Sequence, residues 1–118
     1  MEPILNQRHE NTMTKTTDLL VLAVLGDGPQ HGYGLAQAIG ERTRQLVQIR
    51  AADLYRVLYR MHESGLIEEV PARSRPAGDE RRTYYRITPL GKRVAREQAE
   101  MLSDVCASVL GRRREVLP

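Results

Sequence analysis

Apolar positions recur with a helical period in four segments of the chain and follow an extended pattern in three others. The first helical segment, residues 19–25, is apolar on nearly every side and stops at the Gly-Asp-Gly-Pro cluster of residues 26–29. Hydroxyl side chains within residues 14–16 can cap the start of such a helix. The pattern therefore predicts a helix that lies in the middle of a small fold.

Two more helices follow, with a connector between them. Residues 35–39 form a short apolar stripe, and residues 46–49 alternate briefly, as expected of an extended connector. Residues 51–64 form the clearest amphipathic helix, which ends before Gly65 and whose core positions are Leu54, Leu58 and Met61. Three helices of these lengths in this order predict a helix-turn-helix arrangement.

Beyond Gly65 the period changes from helical to extended. Residues 66–70 and 83–88 are rich in residues that favour strands, and the proline-containing segment between them stays irregular. We expect a two-stranded hairpin with a long tip. The predicted fold class is mainly α with a small β hairpin, a winged helix-turn-helix that occupies residues 14–88.

A capping hydroxyl and a proline mark the start of the last helix at Thr88 and Pro89. Its apolar stripe continues to about Gly111, over roughly 33 Å at 1.5 Å per residue. The preceding elements are too short to cover this stripe, so we expect residues 89–111 to form a homodimer through Leu90, Val94, Met101, Leu102, Val105 and Val109. Residues 1–13 are interpreted as an N-terminal arm and residues 112–118 as a basic tail.

Composition limits the classes of function. The 118 residues suffice for one domain, and a formal net charge of +3 permits binding to nucleic acid without proving it. Cys106 is the single cysteine, which fits a reducing cytoplasm, and we favour a small buried residue there over a redox sensor. Because the longest apolar run is too short to cross a bilayer and the N-terminus lacks a signal-peptide pattern, we expect a cytoplasmic protein without membrane contact.

The sequence holds no recognisable catalytic or metal-binding pattern. The three histidines are far apart in the chain and Cys106 stands alone, so the spacing of metal ligands is missing. Nucleophile motifs, glycine-rich phosphate loops and paired acids are also missing. His31 and Tyr33 are interpreted as turn and packing residues. We therefore expect neither an enzyme nor a bound metal or cofactor.

One face of helix 51–64 suits a polyanion. Its arginines supply charge for phosphate and its tyrosines supply directed hydrogen bonds, and Arg50 adds a cation at the helix entrance. We expect this face to contact double-stranded DNA through Tyr55, Arg56, Tyr59 and Arg60. The alternative is a core helix with a solvated polar face.

The positive charge of the chain is concentrated between the two predicted strands. Residues 71–86 carry an excess of three positive charges, which equals the formal surplus of the whole chain. We expect the arginines of this segment to approach backbone phosphates or a minor groove, namely Arg73, Arg75, Arg81 and Arg82. A solvated loop is the alternative. Tyr84 and Tyr85 point to opposite faces of their strand, so one belongs to the core and the other is free to face DNA.

Three motifs in sequence order resemble the PadR family of bacterial transcriptional regulators, and the resemblance covers roughly residues 19–110. GPQHGY at residues 28–33 is similar to the family's GPxHGY turn, and LYRVLYRMHESGLI at residues 54–67 is similar to LYxxLxxLxxxGLI. RTYYRITPLG at residues 82–91 is similar to RxYYxLTxxG. The resemblance implies a winged helix-turn-helix, a dimer through one C-terminal helix, and repression of a promoter.

Asp53 departs from this pattern, because the family usually has Gly-Thr before Leu-Tyr. We interpret Asp53 as a helix cap or as an acceptor for a cytosine amino group, since a carboxylate facing phosphate is repulsive. Relatives sense phenolic or drug-like molecules, but this chain lacks Trp and Phe, so a small-molecule effector stays unidentified. The alternative function is a winged-helix module that holds another protein, and salt-sensitive binding of duplex DNA distinguishes the two.

Overall fold

The computed structural model describes residues 16–111 as four helices and three short strands. The predicted arm, residues 1–13, and the predicted basic tail, residues 112–118, lie outside the described residues. The elements are α1 (Thr16–Leu25), β1 (Gln30–His31), α2 (Gly32–Arg42), α3 (Ala51–Glu63), β2 (Ile67–Glu69), a 3-10 turn (Ala72–Ser74), β3 (Tyr84–Ile87) and α4 (Pro89–Leu110).

The core lies between the first three helices, as the apolar pattern predicts. α1 contributes Val21, Leu22 and Leu25, all at most 2% exposed, and its burial confirms its central position. α2 and α3 cover it with side chains that are equally buried, namely Leu35, Ile39, Leu54, Leu58 and Met61. Burial of such side chains stabilises the fold by roughly 1.5–3 kcal/mol each. This packing fixes the direction of α3 and leaves its opposite face to solvent.

The predicted fold class and hairpin are confirmed, because β2 pairs with β3 in antiparallel orientation, and the sheet contains a third strand, β1, that the sequence pattern did not predict. Its order is β1-β3-β2 and both pairs are antiparallel. Gln30 pairs with Tyr85 and His31 with Tyr84, so β1 joins the wing to the start of α2. We call residues 70–83, the long connection between β2 and β3, the wing loop. The third strand brings the N-terminus of α2 next to this loop.

α4 begins where the cap prediction places it, against the end of α3. The Thr88 hydroxyl accepts a hydrogen bond from the Gly91 N–H (3.0 Å) and donates one to the Gly65 carbonyl (2.6 Å). The Thr88 N–H donates to the Leu66 carbonyl (3.1 Å). One residue thus caps α4 and ties it to the turn after α3.

The apolar stripe of α4 has two parts with different surroundings. Near the start of the helix, Val94 and Ala95 pack partly against the core. Farther along the same stripe, Met101 is 43% exposed, Val105 53% and Val109 80%. The second half of α4 therefore presents an uncovered apolar face within the described residues. None of the described helices combines the length and apolar character that crossing a membrane requires.

Candidate nucleic-acid interface

The face of α3 that points away from the core carries aromatic and basic side chains. Tyr55 is 55% exposed and Tyr59 69%, and the side chain of Arg56 is 73% exposed. All three lie away from the buried stripe of α3. α3 is thus a helix whose outward side offers hydroxyl and guanidinium groups to a partner.

An acidic residue sits at the start of this helix between two arginines. Arg50 occupies the N-cap position and its side chain does not cap the helix. One carboxylate oxygen of Asp53 accepts from Arg50 Nε at 3.3 Å, and the other accepts from Arg56 Nη2. The interpretation of Asp53 as the cap is therefore wrong, because Arg50 holds that position. Asp53 lies in the first turn, where a carboxylate is stabilised by the helix dipole.

Arg60, one turn beyond Arg56, turns toward α1 instead of outward. Both of its terminal nitrogens donate to the carboxylate of Asp18, each at 3.0 Å. The side chain of Asp18 is only 8% exposed, whereas that of Arg60 is 45% exposed. Because a buried carboxylate is costly without a cation, this pair fixes α3 against α1. The structure thus gives Arg60 an intramolecular partner, and its predicted contact with DNA stays a prediction.

We expect Arg60→Ala to destabilise the fold and Arg56→Ala to leave it nearly unchanged. Loss of Arg60 strips a buried carboxylate of its bidentate partner, which costs about 3 kcal/mol, at the lower end for such pairs because Arg60 is half exposed. Loss of Arg56 breaks only an exposed pair, worth at most about 0.5 kcal/mol on a helix. Chemical denaturation of both variants measures the difference, and equal unfolding midpoints would contradict this role of Arg60.

The wing loop is organised by one of its own arginines. Arg75 donates from Nε to the Val70 carbonyl (2.9 Å) and from Nη1 to the Glu80 carbonyl (2.8 Å), so it bridges the two sides of the loop. Arg73 and Arg81 are exposed, and neither makes a side-chain hydrogen bond or ion pair with the described residues. The wing therefore holds two outward cations on a loop that a third arginine shapes.

Arg82 connects the wing to the N-terminus of α2. Its Nε lies 3.4 Å from Asp79, and its Nη1 lies 2.8 Å from His31 Nε2. His31 Nδ1 accepts from the Gly34 N–H at 3.1 Å and thereby caps α2. Burial, and then the charge of Arg82, lower the pKa of His31, while Asp79 opposes them. Arg82 and His31 thus connect the wing loop to the N-terminus of α2.

The two tyrosines of β3 differ in burial, as their alternation predicts. Tyr84 is buried at 8% exposure, its hydroxyl donates to Asp79 Oδ2 at 2.5 Å, and its ring meets that of His31 edge to face. The hydrogen bond to Asp79 raises the pKa of Tyr84, and burial follows as a second cause. Tyr85 on the other face is partly buried and packs against the core. Tyr84 and Asp79 therefore anchor the base of the wing loop.

An open groove of about 520 Å³ joins these parts. The Tyr55 ring lies across the start of α2, where Gly32 leaves room for it: a Cβ at Gly32 would lie 3.1 Å from the Tyr55 hydroxyl oxygen. The groove is lined by residues of the α2 N-terminus, α3 and the wing, namely His31, Gly32, Tyr33, Tyr55, Arg81, Arg82, Thr83 and Tyr85.

The structure brings some predicted site residues together and separates others. Tyr55, Arg81 and Arg82 meet in the groove, and Arg50 joins Arg56 at the start of α3. Arg60 and Arg75 are engaged in intramolecular contacts outside it. The interpretation of Tyr33 as a packing residue is wrong, because Tyr33 is 65% exposed. A tyrosine directly after a breaker and next to a helix start was the available signal for its exposure.

The predicted dimerisation residues divide between the two parts of α4. Val94 is partly buried against the core of its own chain, and Leu90 is 37% exposed at the start of the helix. Met101, Val105 and Val109 lie on the uncovered half. Cys106, beside them, is exposed, so the interpretation as a small buried residue is wrong for the single chain. Among the described residues, no three His, Cys, Asp or Glu side chains cluster as a metal site would require.

Comparison with known proteins agrees with this geometry. The model of the transcriptional regulator PadR-like family matches residues 21–97. An uncharacterised protein of Lysinibacillus sphaericus is 33% identical over 88 residues, which cover 75% of this chain and 79% of that protein. A transcriptional regulator from Clostridium thermocellum superposes with a TM-score of 0.67 at 28% identity, over 83% of this chain and 89% of the other.

A second solved structure, at lower sequence identity, supports the fold alone. The PadR-like transcriptional regulator of Bacillus cereus superposes with a TM-score of 0.69 at 22% identity, and the match covers 80% of this chain and 87% of that one. The family match extends from the middle of α1 into the first half of α4, so it includes α3, the wing loop and the groove between them. The chain belongs to the PadR-like family of transcriptional regulators, a family of DNA-binding winged-helix proteins and not of enzymes.

Proposed function

We propose that the protein is a homodimeric repressor that binds a palindromic operator. α3 enters the major groove, and the wing loop contacts the backbone or the adjacent minor groove. The observation that carries the proposal is the groove in which α3, the α2 N-terminus and the wing meet, since Tyr55, His31 and Arg82 line it from three elements. A hydroxyl, an imidazole and a guanidinium group that line one groove suit a phosphate oxygen.

The groove and the wing loop contribute differently to DNA binding. Tyr55, His31 and Arg82 hold one backbone phosphate and so set the register of the protein on the duplex. Arg73 and Arg81 add charge at the wing, where they have no partners among the described residues. Arg75 acts indirectly, because it shapes the loop that carries them.

The dimer follows from the uncovered apolar half of α4. A face that includes Met101, Val105 and Val109 is stabilised by pairing with a second copy of itself, and twofold symmetry then presents two copies of α3. Two such helices on one side of a duplex require two inverted half-sites about one helical turn apart. The simplest effect of a dimer bound there is to exclude polymerase from the promoter.

We expect neutralisation of the outward wing arginines to weaken the salt dependence of DNA binding. Each lost phosphate contact lowers the slope of log K against log salt by about 0.9, so Arg73→Gln with Arg81→Gln lowers it by about 1.8. The measurement is titration of a fluorescent duplex from the upstream region of this gene at several salt concentrations. Arg93→Gln with Arg96→Gln, two positions on α4, removes the same charge away from the wing.

Two outcomes would contradict the proposal at different points. A slope that the wing variant and the α4 control change equally would exclude wing contact with phosphates. Failure of the unmodified protein to bind duplex DNA at physiological salt would favour the alternative, a winged-helix module that holds another protein.

A further inference from the structure

The start of α3 holds an arginine whose position is fixed by a neighbouring carboxylate. Asp53 accepts from Arg56 with one oxygen and from Arg50 with the other, so its charge is shared by two cations. The side chain of Asp53 is 37% exposed and that of Arg56 is 73% exposed. The carboxylate therefore restrains Arg56 while most of the guanidinium stays accessible.

Arg56 is also central on the outward face. At 3.6 residues per turn it lies nearly opposite Leu54 and Leu58, which are buried. One turn earlier the same face carries Ala52, whose methyl group leaves the N-terminal approach open. Residues in the first turns of a recognition helix are those that reach base edges in the major groove.

The chemistry of this pair selects among bases. Guanine presents two acceptors, N7 and O6, to the major groove, and the planar fork of an arginine donates to both at once. Adenine replaces one acceptor with an amino donor, which opposes the arginine. Asp53 cannot accept from a guanine edge that offers only acceptors. Its effect is to limit the rotamers of Arg56, so that less side-chain entropy is lost on binding.

We propose that Arg56, braced by Asp53, reads one guanine in each half-site of the operator. This inference rests on the proposed function, because it requires α3 in the major groove. Arg50, on the other oxygen of Asp53, lies at the helix entrance and is 87% exposed. It contacts a phosphate and contributes affinity without base preference.

Selection from a random duplex library tests the proposal with the full-length protein. The unmodified protein enriches a motif with one guanine per half-site that Arg56 contacts. Arg56→Ala lowers the preference for guanine at that position about 5- to 150-fold, the range of one bidentate contact. Arg50→Ala is the matched control, since it removes the same charge from the same carboxylate and lowers affinity while guanine stays preferred.

Two further experiments test whether Asp53 positions Arg56 for the guanine contact or only stabilises the structure. Asp53→Asn relaxes the guanine preference several-fold without lowering total affinity for DNA, because it removes a negative charge near phosphates. Replacement of the selected guanine by 7-deazaguanine, which lacks N7, weakens binding by the unmodified protein and has no further effect on Arg56→Ala.

The outcomes separate this inference from the proposed function. A library without any enriched motif overturns both. An enriched motif in which Arg56→Ala keeps the same guanine preference overturns the guanine contact and leaves operator binding intact. An unchanged guanine preference in Asp53→Asn overturns the role of Asp53 in positioning Arg56.

Discussion

Gly91→Ala is expected to destabilise the protein by at least about 3 kcal/mol, more than most substitutions in the chain. A Cβ at Gly91 would lie 2.1 Å from the Leu66 carbonyl oxygen and 2.8 Å from Cγ1 of Ile87. The Leu66 oxygen already accepts from the Thr88 N–H, so it cannot retreat without breaking the bond that starts α4. Either α4 or the start of β2 must move.

Chemical denaturation of Gly91→Ala and Gly78→Ala measures this effect against a matched change. Gly78 has φ of +85°, and a Cβ added there would have no neighbour within 4 Å, so alanine meets only backbone strain of about 1–2 kcal/mol. Equal stability of the two variants would show that the contact between α4 and Leu66 can relax. In that case Gly91 would not be required for the close approach of α4 to Leu66.

Much of this architecture follows from local sequence patterns. The core stripe of α3 repeats at Leu54, Leu58 and Met61, and its burial follows because an amphipathic helix turns its single apolar face to the core. The start of α4 is equally local, since the Thr88 hydroxyl and the Pro89 ring favour a helix start by themselves. These elements were predictable because the interactions that define them lie within a few residues.

The remaining features depend on partners that are distant in sequence. β1 has two residues, and it is a strand only because β3 pairs with it. Arg56 and Arg60 are indistinguishable by pattern, yet Arg60 is drawn to Asp18, 42 residues earlier in the chain. The predictions were therefore least informative for individual arginines, whose side chains reach whichever acceptor the fold places nearby.

We expect Val105→Asp to convert the proposed dimer into a monomer and to weaken operator binding about 100-fold or more. A dimer gains its second half-site contact at high effective concentration, and a monomer loses this gain. A carboxylate in the centre of an apolar interface cannot be desolvated without a partner. The fold of each chain is expected to survive, because Val105 is 53% exposed and lies beyond the part of α4 that packs on the core. Val94→Asp is unsuitable for testing the interface, because Val94 packs against that core.

Ser103→Asp is the control for this experiment, because Ser103 is exposed near Val105 but on the opposite side of α4 from it. Sedimentation velocity gives the oligomeric state, and titration with full and half operators gives the affinities. Loss of the dimer should lower affinity for the full operator and leave affinity for a half-site nearly unchanged, because the surface formed by α3 and the wing lies within one chain. If Val105→Asp stays dimeric while it remains folded, the uncovered half of α4 is not the dimer interface, and the exposed apolar stripe would need a different partner.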